Sequence, residues 1–161
     1  MCKASEEKRV SDSQTEQIHV VVPQHLNGAG TLFGGQLAFW IDEVGGVTAA
    51  RHCHRRVTTA AIDNLRFREP VYQGELLVLL GRVTFTGETS LEVRVDSFAE
   101  NLSGQRRLIN TAYVIMVALG EDGQPCKVPQ LTPKTPEEER SFAAGQQRKL
   151  YRMQMARELY E

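Results

Sequence analysis

Long hydrophobic runs are missing from this chain of 161 residues. A membrane-spanning helix needs about 20 consecutive, mostly apolar residues, and the sequence contains no such stretch. The first residues, from Met1 to Gln17, are polar and charged and lack the apolar core of a signal peptide. We therefore expect neither a spanning helix nor a secretory signal.

Cysteine is scarce, and its three residues lie far apart in the chain, at Cys2, Cys53 and Cys126. An odd number of cysteines at wide spacing does not form a disulfide framework. Reduced cysteines are the rule in the cytosol, so we expect a cytoplasmic protein.

An excess of either charge is also absent, because 19 Lys and Arg are balanced by 20 Asp and Glu, for a net charge of −1. This balance argues against the strongly basic surface that is typical of nucleic-acid binding. The hydrophobic fraction of 41% and the charged fraction of 24% are ordinary for a globular protein. The length suits a single domain.

The strongest local signal is a glycine-broken loop that runs into an apolar helix between Asn27 and Asp42. Apolar residues recur at helical spacing from Gly35 to about His52, which predicts a helix over this range. The helix is apolar on nearly all sides, so we expect it to be enclosed. Asp42 lies near its start, and a buried carboxylate costs free energy unless something satisfies or uses it. Asp42 is therefore a candidate functional residue.

After this helix the hydrophobic period changes to two, as in β-strands. One short strand before the helix and four long strands after it are expected, at Gln17–Val22, Val57–Phe67, Glu75–Thr86, Ser90–Glu100 and Arg106–Leu119. In the strand that begins at Ser90, the apolar residues Leu91, Val93 and Val95 alternate with charged residues. This alternation predicts one buried face and one face in water.

The C-terminal part of the sequence predicts an extended segment followed by a second helix. Three prolines between residues 127 and 136 favour extended backbone. Thr135, Pro136 and Glu138 then form a typical helix start with a capping box, and the helix should reach about Glu158. It is highly charged, with a thin apolar stripe that includes Phe142 and Leu150, so we expect it on the surface or against a neighbouring subunit.

The order of elements predicts an α+β fold in which a curved antiparallel sheet wraps one long central helix, with a C-terminal surface helix. We assign residues 1–15 to a flexible tail, residues 16–130 to a single domain, and residues 131–161 to the Pro-rich segment and final helix. Gly45 and Gly46 each cost the central helix about 1 kcal/mol of propensity. Close approach by another backbone is the expected compensation. Open sheet edges and half-exposed helix glycines predict at least a dimer.

Several motifs can be compared with known families. Two lie in the loop and the helix, Asn27-x-x-Gly30-x-x-x-Gly34-Gly35 and Trp40-Ile41-Asp42-Glu43. The others are Val57-Thr58-Thr59-Ala60-Ala61-Ile62-Asp63, Phe67-x-x-Pro70-x-x-x-Gly74, Thr89-Ser90-Leu91-Glu92 and Val128-Pro129-Gln130-Leu131. Together, over residues 17 to 155, these motifs resemble the hotdog-fold acyl-CoA thioesterases, and among them the brain-type and bacterial cytosolic acyl-CoA hydrolases.

The resemblance implies that residues 16–130 form a hotdog domain with its active sites at the interface of a homodimer. Such dimers commonly assemble into a trimer of dimers. The implied substrate is an acyl-CoA, which is hydrolysed to free fatty acid and coenzyme A without a metal or another cofactor. We expect no nucleic-acid partner and no membrane partner.

The resemblance also implies catalytic roles for three residues. Asp42 would act as general base or nucleophile, and Asn27 of the partner protomer would position water or substrate. The N–H group of Gly35 at the helix start would stabilise the developing oxyanion. Each residue also has a simpler interpretation: Asp42 can be an exposed helix residue, Asn27 can be part of a turn, and the glycines Gly34 and Gly35 can permit a tight bend.

Coenzyme A contacts are implied for three parts of the chain. Thr59, Ala60 and Ala61 match a segment that runs along the pantetheine arm in relatives. Thr89 and Ser90 match a turn that contacts coenzyme A, and Arg148 on the last helix is a candidate for a phosphate. Ordinary sheet, turn and surface roles are the alternative for all of them.

Other interpretations remain open from the residues alone. His52, Cys53 and His54, with His25, suggest a metal site, although their spacing is not tetrahedral and no fourth ligand is evident. A basic cluster at residues 51, 55 and 56 suits either phosphates or a solvated helix end. The alternative functions are a non-catalytic acyl-CoA or nucleotide-binding hotdog regulator and a hotdog dehydratase. The presence of both Asn27 and Asp42 favours the thioesterase.

Overall fold

The structure is a computed structural model, and it describes residues 7–160. Five strands and two α-helices follow one another within these residues: β1 Thr15–Val20, α1 Gly34–Cys53, β2 Arg56–Asp63, β3 Leu76–Thr86, β4 Ser90–Glu100, β5 Arg106–Leu119 and α2 Pro136–Tyr160. Short 3₁₀ turns at Val10–Asp12 and Pro23–His25 precede β1 and α1. The predicted order of elements is confirmed.

The five strands form one antiparallel sheet in the order β1-β3-β4-β5-β2. The sheet is curved, and α1 packs on its inner face. The strands β1 and β2, which flank α1 in the sequence, therefore form the two edges of the sheet. The α+β prediction of a sheet wrapped around one central helix is confirmed. No helix among residues 7–160 has both the length and the apolar character needed to cross a membrane.

The core lies between α1 and the inner face of the sheet. Leu37, Ile41 and Val44 of the helix are fully buried. A Cβ atom on Gly45 would lie 3.0 Å from the side chain of Val114 on β5, so glycine lets the helix pack closely against the sheet. Close approach was expected at this position, but the neighbour is a side chain rather than another backbone.

The composition of α1 suggested that the helix is enclosed on all sides. The single chain instead leaves one face of it open. Phe39 is 61% exposed and Val47 is 38% exposed, while the opposite face of the helix is buried in the core. Apolar residues on the open face are what a second protein surface would cover.

The outer face of β4 differs from the prediction. Leu91, Val93 and Val95 are buried as expected, but Glu92 on the opposite face is only 1% exposed. The reason is α2, which lies across this face and brings Arg148 to the carboxylate of Glu92. The face predicted to be in water is therefore covered at this end by a helix from far along the chain.

Residues 7–15 are not the loose tail that the sequence predicted, and residues 1–6 of that tail lie outside the described residues. The backbone of Lys8 bonds to Gln130 and Thr132, and the side chain of Val10 is buried in the core. The bonds of Lys8 are with residues more than a hundred positions away, so local composition does not reveal them. The assignment of the rest of the chain to one domain stays a prediction.

The end of β2 differs from the predicted one, while α1 ends where it was expected. Strand β2 ends at Asp63 rather than Phe67, because Asn64 adopts a left-handed backbone with φ of 67°. Asparagine tolerates this conformation better than most residues. Helix α1 ends at Cys53, where His54 takes a left-handed cap.

Candidate active site

Asp42 lies on α1 and is half-buried. Its Oδ1 atom accepts a hydrogen bond of 2.6 Å from the hydroxyl group of Thr59 on β2. Strand β2 follows α1 after a short turn and forms an edge of the sheet, so the pair lies beside an open strand edge. The prediction singled out both residues, but it placed Thr59 against pantetheine and did not foresee its bond to Asp42.

A β-bulge shapes the strand at this position. Thr59 is opposite Met116 on β5 and Ala61 is opposite Ile115, so Ala60 is an extra, unpaired residue. Bulges change the direction of neighbouring side chains and are frequent beside active sites. The hydroxyl group of Thr59 also lies 3.4 Å from the sulfur of buried Met116. The Asp42–Thr59 pair therefore lies against the apolar side chain of Met116.

Asn27 is exposed, and its side chain organises its own loop. Its Oδ1 atom accepts hydrogen bonds from the backbone N–H groups of Ala29 and Thr31, at 2.9 and 3.2 Å. Its Nδ2 atom donates to the hydroxyl group of Thr31 at 3.0 Å. The turn interpretation therefore describes the bonds of Asn27 within one chain, while one Nδ2 proton stays free for another acceptor.

A cavity of about 380 Å³ lies beside this loop, and Asn27, Gly34 and Phe67 are among the residues that line it. Asp42 is not among them. Within one chain, the cavity beside Asn27 thus does not include Asp42.

The start of α1 carries unused hydrogen-bond donors. The backbone N–H groups of Gly34 and Gly35 donate to no acceptor among residues 7–160. They lie at the positive end of the helix dipole, which suits an anion. A Cβ atom on Gly35 would collide with the ring of Phe33, so only glycine lets this ring lie against the helix start.

The other predicted coenzyme A residues lie in different places. Thr89 lies in the turn before β4 and Ser90 begins that strand; the carbonyl group of Thr89 accepts a bond from Ala118 and that of Ser90 from Gly87. Ser90 pairs with Val117 on β5, and the adjacent residue of β5, Met116, pairs with Thr59 on the other side. The turn is therefore separated from Thr59 by the width of β5.

Arg148 is not a free cation. Its guanidinium donates two hydrogen bonds, of 3.0 and 2.7 Å, to the carboxylate of Glu92 and stacks 3.8 Å from the ring centre of Tyr113. Burial alone would raise the pKa of Glu92, but the hydrogen bonds from Arg148 and Thr84 outweigh it and lower that pKa below its ordinary value. The phosphate role proposed for Arg148 must therefore be compatible with this ion pair.

Arg148 also lines a large cleft, which we call the α2 cleft. It lies between the C-terminal half of α2 and the β2 edge and has a volume of about 860 Å³. Its other lining residues include Ala60, Ala61, Tyr113, Tyr151 and Arg152. The structure thus brings together Ala60, Ala61 and Arg148 from the predicted coenzyme A set.

The suggested metal residues have structural environments. His52 is buried and its Nε2 atom donates to the carbonyl oxygen of Pro129 at 2.9 Å, while burial lowers its pKa. Burial raises the pKa of Cys53 to about 11, which disfavours the thiolate that binds metals. Among residues 7–160, no three His, Cys, Asp or Glu residues are placed to hold a metal ion. In the basic cluster, Arg51 and Arg56 donate to backbone carbonyl groups.

One group near the site was missed from the sequence. The ring of His19 on β1 stacks on Trp40 with centroids 4.3 Å apart, and His25 meets the same indole edge-on at 4.8 Å. Burial lowers the pKa of His19, an effect that nearby Glu43 opposes. These rings hold the indole two positions before Asp42. Only the pairing of β1 beside α1 reveals this contact, so no local pattern could have shown it.

The model of the thioesterase superfamily matches residues 29–103. YkhA of Bacillus subtilis, named an uncharacterized acyl-CoA thioester hydrolase, is 38% identical over 79% of this chain and 74% of its own length. The chain belongs to the thioesterase superfamily. The rat cytosolic acyl coenzyme A thioester hydrolase is 36% identical over 90% of this chain, which spans only 39% of that relative's length.

Solved structures within the superfamily confirm the hotdog fold. An apo-hexameric acyl-CoA thioesterase is 38% identical, with a TM-score of 0.88, over 94% of this chain and 98% of the other. The acyl-CoA hydrolase of Staphylococcus aureus, solved with butyryl coenzyme A, coenzyme A and coenzyme A disulfide, is 29% identical, with a TM-score of 0.83. That match covers 95% of this chain and 96% of the other. Variants of the Staphylococcus aureus enzyme in which an aspartate, an asparagine or a threonine is replaced by alanine have also been solved.

Proposed function

We propose that this protein hydrolyses acyl-CoA thioesters to free fatty acid and coenzyme A. The observation that carries the proposal is the carboxylate of Asp42, held by the hydroxyl group of Thr59 beside an open strand edge. Relatives over most of the chain are named acyl-CoA thioester hydrolases, and one is named cytosolic, which supports a cytoplasmic enzyme of the same kind.

Asp42 acts as general base or nucleophile in this proposal. Thr59 donates to one carboxylate oxygen, which orients the group and leaves the other oxygen for water or substrate. As a base, Asp42 takes a proton from water while the water oxygen attacks the thioester carbonyl carbon. The carbon–sulfur bond then breaks, and the coenzyme A thiolate takes up the proton. The scheme needs no metal and no redox cofactor.

The oxyanion of the tetrahedral intermediate binds at the start of α1. The free N–H group of Gly35 supplies a donor there, together with the positive end of the helix dipole. Loss of one such donor typically costs about 3 kcal/mol of transition-state stabilisation.

Asn27 comes from the partner protomer in this proposal. Within one chain Asn27 lines a cavity to which Asp42 does not contribute, and the exposed Phe39 leaves an apolar helix face for a second copy. The bonds of Asn27 to its own loop preorganise the amide, which keeps one Nδ2 proton for the water or the thioester oxygen. A trimer of dimers is the expected assembly, supported by the hexameric relative.

The residue types altered in the Staphylococcus aureus variants support this assignment. They are an aspartate, an asparagine and a threonine, the same types as Asp42, Asn27 and Thr59. In this chain the aspartate and the threonine are the two that bond to each other.

The first test replaces the carboxylate of Asp42 by an amide. We expect Asp42→Asn to lower kcat at least about 100-fold, because an amide neither takes up the proton nor attacks the carbonyl group. Steady-state hydrolysis of an acyl-CoA chain-length panel, with detection of released thiol, measures the effect. Glu43→Gln is the matched control, since Glu43 is the exposed neighbour on the same helix. Near wild-type turnover in Asp42→Asn would remove the proposed role.

A further inference from the structure

We propose that Phe67 is a specificity-determining residue, which forms a wall for the acyl chain of the substrate in the cavity beside Asn27. This inference rests on the proposed function and adds to it the residue that selects among acyl groups. The position of the cavity, its apolar lining and the fastening of the loop that carries Phe67 all support it.

The cavity begins at the groups that the proposed reaction places around the thioester. Asn27 and Gly34 line it, and Gly34 directly precedes Gly35, whose N–H group is the proposed oxyanion donor. The predicted pantetheine residues Ala60 and Ala61 line the α2 cleft instead. Since the sulfur and the acyl chain leave the thioester carbonyl carbon in different directions, the cavity beside Asn27 is left for the acyl chain.

The size and lining of the cavity suit an apolar chain. Its volume of about 380 Å³ is within the range of ligand pockets, roughly 300 to 1,000 Å³. Leu32 and Val71 line it and are almost fully buried, at 5% and 1% exposure. Phe67 and Pro70 add further apolar surface. Methylene groups that enter the cavity would therefore leave water for apolar contacts.

Two charged residues also line the cavity. Arg68 and Glu69 are both exposed, and the carboxylate of Glu69 lies 3.0 Å from the guanidinium of Arg107. Burying an unpaired charge is costly, so an apolar chain is expected to lie against the buried apolar residues and to leave these charges in water.

The ring of Phe67 lies against the helix start. A Cβ atom on Gly34 would be 3.4 Å from this ring, which is an ordinary contact distance. Phe67 is 42% exposed within one chain, so apolar ring surface is available to a ligand. The carbons nearest a carbonyl group bound at Gly35 would therefore meet this ring.

The loop that carries Phe67 is fastened to β5 on both sides of the ring. The Nδ2 atom of Asn110, which is 1% exposed, donates to the carbonyl oxygen of Arg66 at 2.9 Å. The N–H group of Arg68 donates to the carbonyl oxygen of Ile109 at 3.0 Å. A wall held in this way keeps its shape when a ligand binds, which is what selectivity requires.

The test measures how binding depends on the length of the acyl chain. Isothermal titration of the full-length Asp42→Asn protein gives the Kd of acetyl-, butyryl-, hexanoyl- and octanoyl-CoA, with coenzyme A alone as the reference. We expect the affinity to rise by up to roughly fourfold for each added methylene, the ratio for one fully buried methylene. In the wild type, kcat/KM for the same four thioesters should follow the same trend.

Replacement of the ring should flatten this dependence. On the same background, Phe67→Ala should lower the rise to roughly twofold per methylene, because about half of the apolar contact around the chain is lost. Phe67→Leu keeps an apolar side chain and should retain most of the rise. Tyr72→Ala is the matched control, since Tyr72 is a nearby aromatic residue, 53% exposed, outside the cavity lining.

Two results would overturn the inference. One is equal affinity for all four thioesters, and the other is a rise per methylene that Phe67→Ala leaves unchanged. An equal loss for every compound belongs to the second result, because a merely structural role lowers all affinities alike. If the rise depends on Phe67 but the wild type releases no thiol from any of the four, the proposed hydrolysis fails while the role of Phe67 in acyl binding stands.

Discussion

Thr59 places a hydroxyl group 2.6 Å from the carboxylate of Asp42. This hydrogen bond fixes which carboxylate oxygen is occupied and which one is open to water. The nearby sulfur of Met116 is a weak acceptor and does not compete with a carboxylate for the hydroxyl proton. Thr59 thus acts as a positioning residue for Asp42 in the proposed reaction.

Removal of this hydroxyl group tests the positioning role. We expect Thr59→Val to lower kcat roughly 10- to 100-fold, because a hydrogen bond to a charged group is typically worth about 1.5–3 kcal/mol. Thr59→Ser keeps the hydroxyl group and should restore most of the rate. Equal rates in Thr59→Ser and Thr59→Val would contradict the positioning role of the hydroxyl group.

At the scale of elements, α2 is fastened to the sheet by a buried carboxylate. Glu92 on β4 accepts bonds from Arg148, Arg152 and Thr84. A Cβ atom on Gly145 would lie 2.6 Å from Phe85, so the helix crosses the strands at close range. The position of the α2 cleft depends on this attachment.

The attachment makes a prediction for stability. We expect Glu92→Gln to lower the free energy of unfolding by roughly 3 kcal/mol, because it leaves two arginines without their buried counter-charge. Chemical denaturation measures the change. Glu100→Gln is the control, since its ion pair with Arg106 is on the surface and should contribute at most about 1 kcal/mol.

The same pair predicts a pH dependence. The folded-state pKa of Glu92 is below its ordinary value, so its stabilisation is present above that ordinary value and is lost as pH falls through the folded pKa. The difference in unfolding free energy between wild type and Glu92→Gln should therefore shrink in acid. A difference that stays constant down to low pH would contradict the role of the charge.

Hydrophobic period was sufficient to predict most elements, since α1, β4 and β5 each bury a regular face. It could not predict which elements meet outside the core. Glu92 had the pattern of a wet residue, and only the distant Arg148 explains its burial. The Asp42–Thr59 bond and the stack of His19 on Trp40 likewise depend on how edge strands lie beside α1.

For the whole molecule, we propose that the site is complete only in a dimer. The exposed Phe39 on α1 and the absence of Asp42 from the cavity beside Asn27 both support a second copy. In a two-fold symmetric dimer each protomer supplies one residue type to each site.

Mixing of two inactive variants tests this arrangement. Asn27→Ala and Asp42→Asn each spoil both sites of their own homodimer, but a mixed dimer contains one intact site. After unfolding and refolding of an equal mixture, we expect activity of roughly a quarter of the wild-type value. Thiol release measures it, and separately refolded variants are the control. Activity no higher than that of the separate variants would place both residues in the same protomer's site.

The hydrogen bond from His52 to the carbonyl oxygen of Pro129 has a consequence for how the two helices move relative to each other. It ties the last turn of α1, the helix that carries Asp42, to the segment that leads into α2. A shift of one helix would therefore be transmitted to the other within the same protomer.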